Sequence, residues 1–305
     1  MKRIILRIAV WLVVGIVAIL FVRALARDWA NVQETLASIS WISWISILFF
    51  IGAVAVSGML WGCIVANLSG KNVPANDAIR VHLASWLLKY VPGQVGSLVN
   101  KIAWASKHDY RKKLIVTSVL YENVLMVFAS LILSIPLIFI DASRFTDSTV
   151  LWALVIILPM SLVCNQRVFY AILNLALRLI KKRPIEKSEL LTSKQIFVNT
   201  LYYMIPRALN GAGFVLIAVA MFDISPDMYV PFASVFIFAS IIGMLALFVP
   251  SGLGVREGII VLFASVYIPT EQAIVLALVT RFFTTLADIG VFALYLLLNK
   301  GRISQ

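Results

Sequence analysis

The chain has 305 residues, 62% of them hydrophobic and 13% charged, with a mean hydropathy of +0.98. A soluble domain is about one quarter charged and could not hide this much apolar surface in one core, so the composition predicts an all-α polytopic membrane protein. The formal net charge of +12 does not point to a nucleic-acid partner, because the basic residues fall in short loops beside apolar runs, where they mark cytoplasmic sides.

At the start, Lys2, Arg3 and Arg7 precede an apolar run over residues 8–22, and Ala24-Leu25-Ala26 imitates a cleavage site. That run is long for a signal peptide and Arg23 lies just before the supposed site, so a retained span over residues 4–22, positive end inside, is the better reading. Residues 23–40 carry both signs and read as an external segment, and Trp41 and Trp44 mark an interface. A second span over residues 42–67 ends inside, where Lys71, Arg80 and Lys89 follow.

Residues 83–104 are apolar but broken at Val91-Pro92-Gly93-Gln94-Val95-Gly96, with Lys101, Lys107 and Arg111 to Lys113 after the break. Basic flanks on both sides predict a re-entrant hairpin entering from the cytoplasm, with two short crossing helices as the alternative. A third span over residues 114–140 carries Glu122 and a kink at Pro136, and reaches an external loop with Asp141, Arg144 and Asp147. The fourth, over residues 150–164, returns to the basic stretch 165–195, a cytoplasmic loop that divides the chain into halves.

The fifth span, residues 196–222, holds Arg207 beside Pro206 and leads outside to Asp223 and Asp227. Residues 228–268 are apolar, but Val249-Pro250-Ser251-Gly252-Leu253-Gly254-Val255-Arg256-Glu257-Gly258 interrupts them. The last span, residues 272–298, carries Arg281 and Asp288 and ends at Lys300 and Arg302, hence inside. Glu271 is then outside, and the second broken hairpin enters and leaves from the external face. The two breaks share the order Val-Pro, small, any, aliphatic, Gly. Charge and motif together predict about six full spans and two oppositely oriented hairpins in an inverted repeat, residues 42–164 against 196–298, with both termini in the cytoplasm of a plasma-membrane protein.

Chemistry concentrates at depth. Arg207, Arg256 and Arg281, with Lys101 near the first break, face Glu122, Glu257 and Asp288 as the deep acids. A charge at the bilayer centre costs about 2.5 to 3.5 kcal/mol even on lenient scales, so these residues either bind a ligand or neutralise one another as structural pairs. The half-helix beginning near Val255 directs unpaired N–H groups at the Pro250, Gly252 and Gly254 break, where Arg256 adds a planar fork suited to phosphate. Glu257 either holds Arg256 or competes with the ligand. The half-helix near Ser97, behind Pro92, Gly93 and Gly96, offers a matching dipole with Lys101 one turn on. Arg281 and Asp288 lie two turns apart on one face, too far to pair, which leaves Arg281 to meet Glu122 while Asp288 stays near water. Cys63 and Cys164 read as small packing residues, and no metal spacing, cofactor fingerprint or nucleophile motif appears.

The run Tyr90 to Gly96, Glu122 in the next span, Pro250 to Glu257 and Arg281 together resemble the flippase-like transmembrane domain of the lysylphosphatidylglycerol synthases and its stand-alone relatives. The resemblance covers most of the chain and implies movement of an anionic or modified lipid between leaflets. The soluble aminoacyl transferase domain has no counterpart in this sequence, so that activity is not implied. Where the family often has an acid and an arginine after the first motif this chain has Ser97 and Asn100, and where it has arginine and aspartate after the span glutamate it has Asn123 and Met126. These departures bear on the substrate rather than the fold. The expectation is a transporter for an anionic phospholipid or a polyprenyl-phosphate-linked saccharide. The alternative is a membrane-embedded transferase acting on such a lipid in envelope glycan synthesis. A homodimer stays open.

Overall fold

A computed structural model describes residues 40–90, 95–139, 190–246, 249 and 252–303, together with Arg167, Tyr170, Ala171 and Asn174. The expected spans 4–22 and 150–164, the external segment before Ser40, most of the 165–195 loop, Cys164, and Pro92, Gly93 and Pro250 lie outside the described residues. Every regular element among the described residues is helical: α1 (Ile42–Ser69), α2 (Ala75–Leu87), a 3₁₀ turn (Leu88–Tyr90), α3 (Val95–Ser106), α4 (Lys112–Leu133), α5 (Pro136–Phe139), α6 (Ser193–Met221), a second 3₁₀ turn (Pro226–Met228), α7 (Tyr229–Leu245), α8 (Val255–Ala264) and α9 (Thr270–Ile303). Five stretches are long and apolar enough to cross a membrane: Ile42–Ser69, Lys112–Leu133, Ser193–Met221, Pro226–Leu245 and Thr270–Asn299. Four match expected spans. The fourth in order, Pro226–Leu245, is the first limb of the expected second hairpin and by itself has the length and composition to cross.

The helix ends follow local chemistry. α1 begins beside exposed Trp41 and Trp44 and stops where Gly70 adopts φ 68°, its N–H donating to Ala66 O at 2.9 Å. α4 ends before Pro136, and Ser234 of α7 donates to its free Leu133 carbonyl at 2.8 Å. α6 starts on a capping box in which Gln195 N donates to Thr192 Oγ1 and Thr192 N donates to Gln195 Oε1. It then runs unbroken through Pro206.

α2 begins eight residues before the expected boundary at residue 83. Its first two turns are amphipathic, with Asp77 and Arg80 paired at 2.9 Å on one side and Ala78, Val81 and His82 buried on the other. An apolar run was therefore the wrong marker for its start. Small residues on α1 let α2 sit close: a Cβ on Gly62 would come 2.6 Å from Ala78 Cβ, and one on Gly58 would come 2.9 Å from both His82 Cβ and Ile79 Cα. This is the small-residue packing by which membrane helices associate.

α1 and α6 form the central pair and run antiparallel, since Gly52 faces Leu209 while Gly213 faces Phe49 and Phe50. Around them the packing is two-fold. α1 packs on α2 as α6 packs on α7, α2 on α3 as α7 on α8, and α3 on α4 as α8 on α9. Across the halves, α9 packs on α1 and α2 as α4 packs on α6 and α7. Outward positions such as Leu48, Phe197, Leu262 and Leu297 are exposed apolar side chains, as a surface facing lipid requires. Cys63 is exposed among them, which corrects its reading as a packing residue.

Candidate functional site

Inside this frame, residues of α1 to α4 and α6 to α9 enclose a cavity of about 450 Å³. Six of the seven deep charged residues named from the sequence line it: Lys101, Glu122, Arg207, Arg256, Arg281 and Asp288. Glu257 stands behind Arg256 and Arg281, and Gly252 contributes to the wall. Helical periodicity delivers these groups. Arg281, Thr284 and Asp288 share one face of α9, Arg207 and Asn210 one face of α6, and Ser97 and Lys101 one face of α3.

The first cluster belongs to the first half. Lys101 Nζ of α3 lies 2.5 Å from Glu122 Oε2 of α4, and His82 Nδ1 of α2 lies 3.1 Å from Glu122 Oε1. Lys101 is 1% and Glu122 4% exposed, so each charge depends on the other. Lys101 also sits 4.6 Å above the Trp61 ring, whose Nε1 donates to Ser118 Oγ. Lys101 Nζ also lies 3.3 Å from His82 Nδ1, while Glu122 Oε1 and the buried His82 Nε2 are left without a hydrogen-bond partner among the described residues.

The second cluster belongs to the second half. One carboxylate, Glu257, is shared by Arg256 at 3.6 Å and Arg281 at 3.7 Å, and its other oxygen accepts from Gly254 N at 2.7 Å. Glu257 thus fills part of the anion seat expected at the start of α8. Arg256 also donates to Thr284 Oγ1 and stacks over Phe236. The signs are exchanged between halves: in the first the hairpin limb carries the cation and the following span the acid, whereas in the second the limb carries the acid and the span the cation.

A third cluster joins the halves. Asp288 Oδ1 of α9 accepts from Lys89 Nζ at 2.7 Å and from Trp86 Nε1 at 2.8 Å, with Lys89 stacked 4.3 Å over the Trp86 ring. The expected Arg281–Glu122 pair does not form. Glu122 is turned toward α2 and α3, and Arg281 is held by Glu257 in its own half. Asp288, expected near water, is instead paired. His82 and Lys89, the latter read from the sequence as marking the inside, line the cavity. Their seven-residue spacing, with Trp86 between them and Lys89 in the 3₁₀ turn that continues α2, was the available signal.

The model of the family described as lysylphosphatidylglycerol synthase TM region matches residues 5–291. No curated protein matches the chain.

Proposed function

The chain belongs to the lysylphosphatidylglycerol synthase transmembrane family, and from that premise we propose that it moves an anionic phospholipid or polyprenyl-phosphate-linked saccharide between the leaflets of the plasma membrane. The headgroup occupies the cavity between the halves while its tails stay in the bilayer. The observation that carries this reading is the cavity itself, where cations from both halves converge inside an apolar shell. In such surroundings a charge attracts its opposite far more strongly than in water, and the energetic cost of keeping cations there is offset when an anionic group enters.

The arrangement completes itself as six spans with α2–α3 and α7–α8 re-entering from opposite sides, both termini and the 165–195 loop cytoplasmic. The antiparallel central pair and the two-fold packing support an inverted repeat over residues 42–164 and 196–298. In this scheme the ion pairs within each half travel as units. Among the described residues the ion pair joining the halves is Lys89–Asp288, so opening to alternate leaflets rearranges that contact first.

Arg256 is the headgroup contact nearest the second break, held by Glu257 and Thr284. In proteoliposomes carrying a headgroup-labelled anionic lipid and an external quencher, Arg256→Ala is expected to slow lipid exchange about tenfold or more, the loss of a charged hydrogen bond, with Arg256→Lys retaining much of the rate. Wild-type exchange in Arg256→Ala together with a lower melting temperature would make Arg256 a structural partner of Glu257 and defeat the proposal.

A further inference from the structure

The buried cluster around Glu122 contains two demands that one atom cannot meet together. His82 Nδ1 lies 3.3 Å from Lys101 Nζ and 3.1 Å from Glu122 Oε1. An ammonium only donates and a carboxylate oxygen only accepts, so the ring nitrogen serves one neighbour or the other according to its protonation. With a lone pair on Nδ1, His82 accepts from Lys101 and Glu122 Oε1 goes without a donor, which matches the absence of a hydrogen bond to that oxygen among the described residues. With a proton on Nδ1, a small turn of the ring lets His82 donate to Oε1, while Lys101 keeps Glu122 Oε2. Both states are built from the same three side chains.

The groups facing His82 tie its proton to the contents of the cavity. α3 brings Lys101 and α4 brings Glu122. α6 brings Arg207, close enough for its charge to act on His82, and Tyr203, which acts on Glu122; the Arg207 Nε and the Tyr203 hydroxyl are buried and have no hydrogen-bond partner among the described residues. α1 meets His82 through Gly58 and carries no charged residue. α9 presents Asp288, which is engaged by Trp86 and Lys89, and on α2 itself Arg80 pairs with Asp77. A proton added at His82 therefore meets two cations, Lys101 and Arg207, against the single Glu122 carboxylate. His82 and Arg207 line the same cavity, so an anion entering it offsets that repulsion.

Resting on the transport reading above, we infer that His82 is a proton-binding site coupled to the cargo: the anionic headgroup and one proton occupy the cavity together and cross together. The proton comes from water in the open cavity and adds to the Nδ1 lone pair. The ring then exchanges its hydrogen bond with Lys101 for one with Glu122 Oε1, and no other bond is made or broken. The imidazolium lowers the net charge of the loaded site, and linkage makes the effect mutual: bound anion favours the proton as much as bound proton favours the anion. Histidine is the side chain that ordinarily changes charge near neutral pH, which suits it to this role. A pH difference across the membrane then drives the headgroup toward the alkaline side.

The test uses the purified full chain in nanodiscs and short-chain phosphatidylglycerol, whose phosphodiester stays ionised over the range in which a histidine titrates, about pH 5 to 8. Calorimetry in two buffers of different ionisation enthalpy is expected to show a peak uptake of about half a proton per lipid bound, with affinity about tenfold tighter at the acid end; these are one coupling read from its two sides. His82→Gln, a polar side chain that does not titrate, should abolish both. His108 is the other of the two histidines and does not line the cavity, so His108→Gln should leave both unchanged. In the His108→Gln protein His82 is the one remaining imidazole, and its NMR titration midpoint should move about one unit toward higher pH when lipid is added, a readout that needs no substitution at residue 82. Zero proton uptake by the wild type, uptake that survives His82→Gln, or an imidazole titration that lipid does not move would each overturn the inference. If any of these is found while Arg256→Ala still slows exchange, the proton coupling alone fails. If Arg256→Ala also leaves exchange unchanged, the transport reading fails with it.

Discussion

Replacing Glu122 with leucine is expected to lower the stability of the purified protein by about 3 kcal/mol or more, because it leaves the Lys101 ammonium buried without its carboxylate. Lys101 is enclosed by α1, α2 and α4, and the stacked Trp61 ring cannot replace an ion pair. The double substitution Glu122→Leu with Lys101→Met should recover most of the loss, since an apolar pair of similar size removes both desolvation costs. Thermal unfolding of the two single variants and the double variant gives the coupling directly. Additive losses would mean that the 2.5 Å contact does not hold in solution.

Gly252→Ala should be nearly as damaging for a different reason. Gly252 has φ 65°, a conformation that costs a side-chain-bearing residue about 1 to 2 kcal/mol, and an added Cβ would lie 2.7 Å from both Cα and O of Gly243. The clash is with backbone, so the limbs of the α7–α8 hairpin must separate, and Arg256, packed close to Gly243, must shift with them. Gly258, six residues on in α8, is the internal control. A Cβ there meets nothing within 4 Å, so Gly258→Ala should be neutral or stabilise the helix by up to about 1 kcal/mol. Similar losses from both alanines would show that the close approach of Gly243 and Gly252 is not what holds the hairpin.

Much of this architecture is legible in the residues because a bilayer imposes length and hydropathy on every span. The helices at Ile42–Ser69, Ser193–Met221 and Thr270–Ile303 fall within a few residues of their expected bounds. The start of α2 was hidden because its polar face, with Asp77 and Arg80, hydropathically resembles a loop. Depth and burial requirements identified the deep charges, and six of seven line one cavity. Their partners were not legible. Whether Glu122 meets Arg281 or Lys101 depends on how α4 is rotated relative to α3 and α9, and no linear spacing encodes that rotation. The partner of Lys89 was hidden for a related reason: a lysine beside an apolar run looks the same whether it points to water or folds back to Asp288.

Accessibility of the cavity from each side of the membrane tests the transport account most directly. Ser240 lines the cavity and its hydroxyl only donates to Phe236 O on its own helix, so a cysteine there reports access without breaking an ion pair. In a background with Cys63 and Cys164 replaced by serine, Ser240→Cys should react with a membrane-impermeant maleimide in both right-side-out and inverted vesicles, and an anionic lipid headgroup should slow the reaction from either side. Labelling from one face alone, unchanged by lipid, would contradict an alternating cavity and favour a fixed, one-sided site of the kind a membrane-embedded transferase requires.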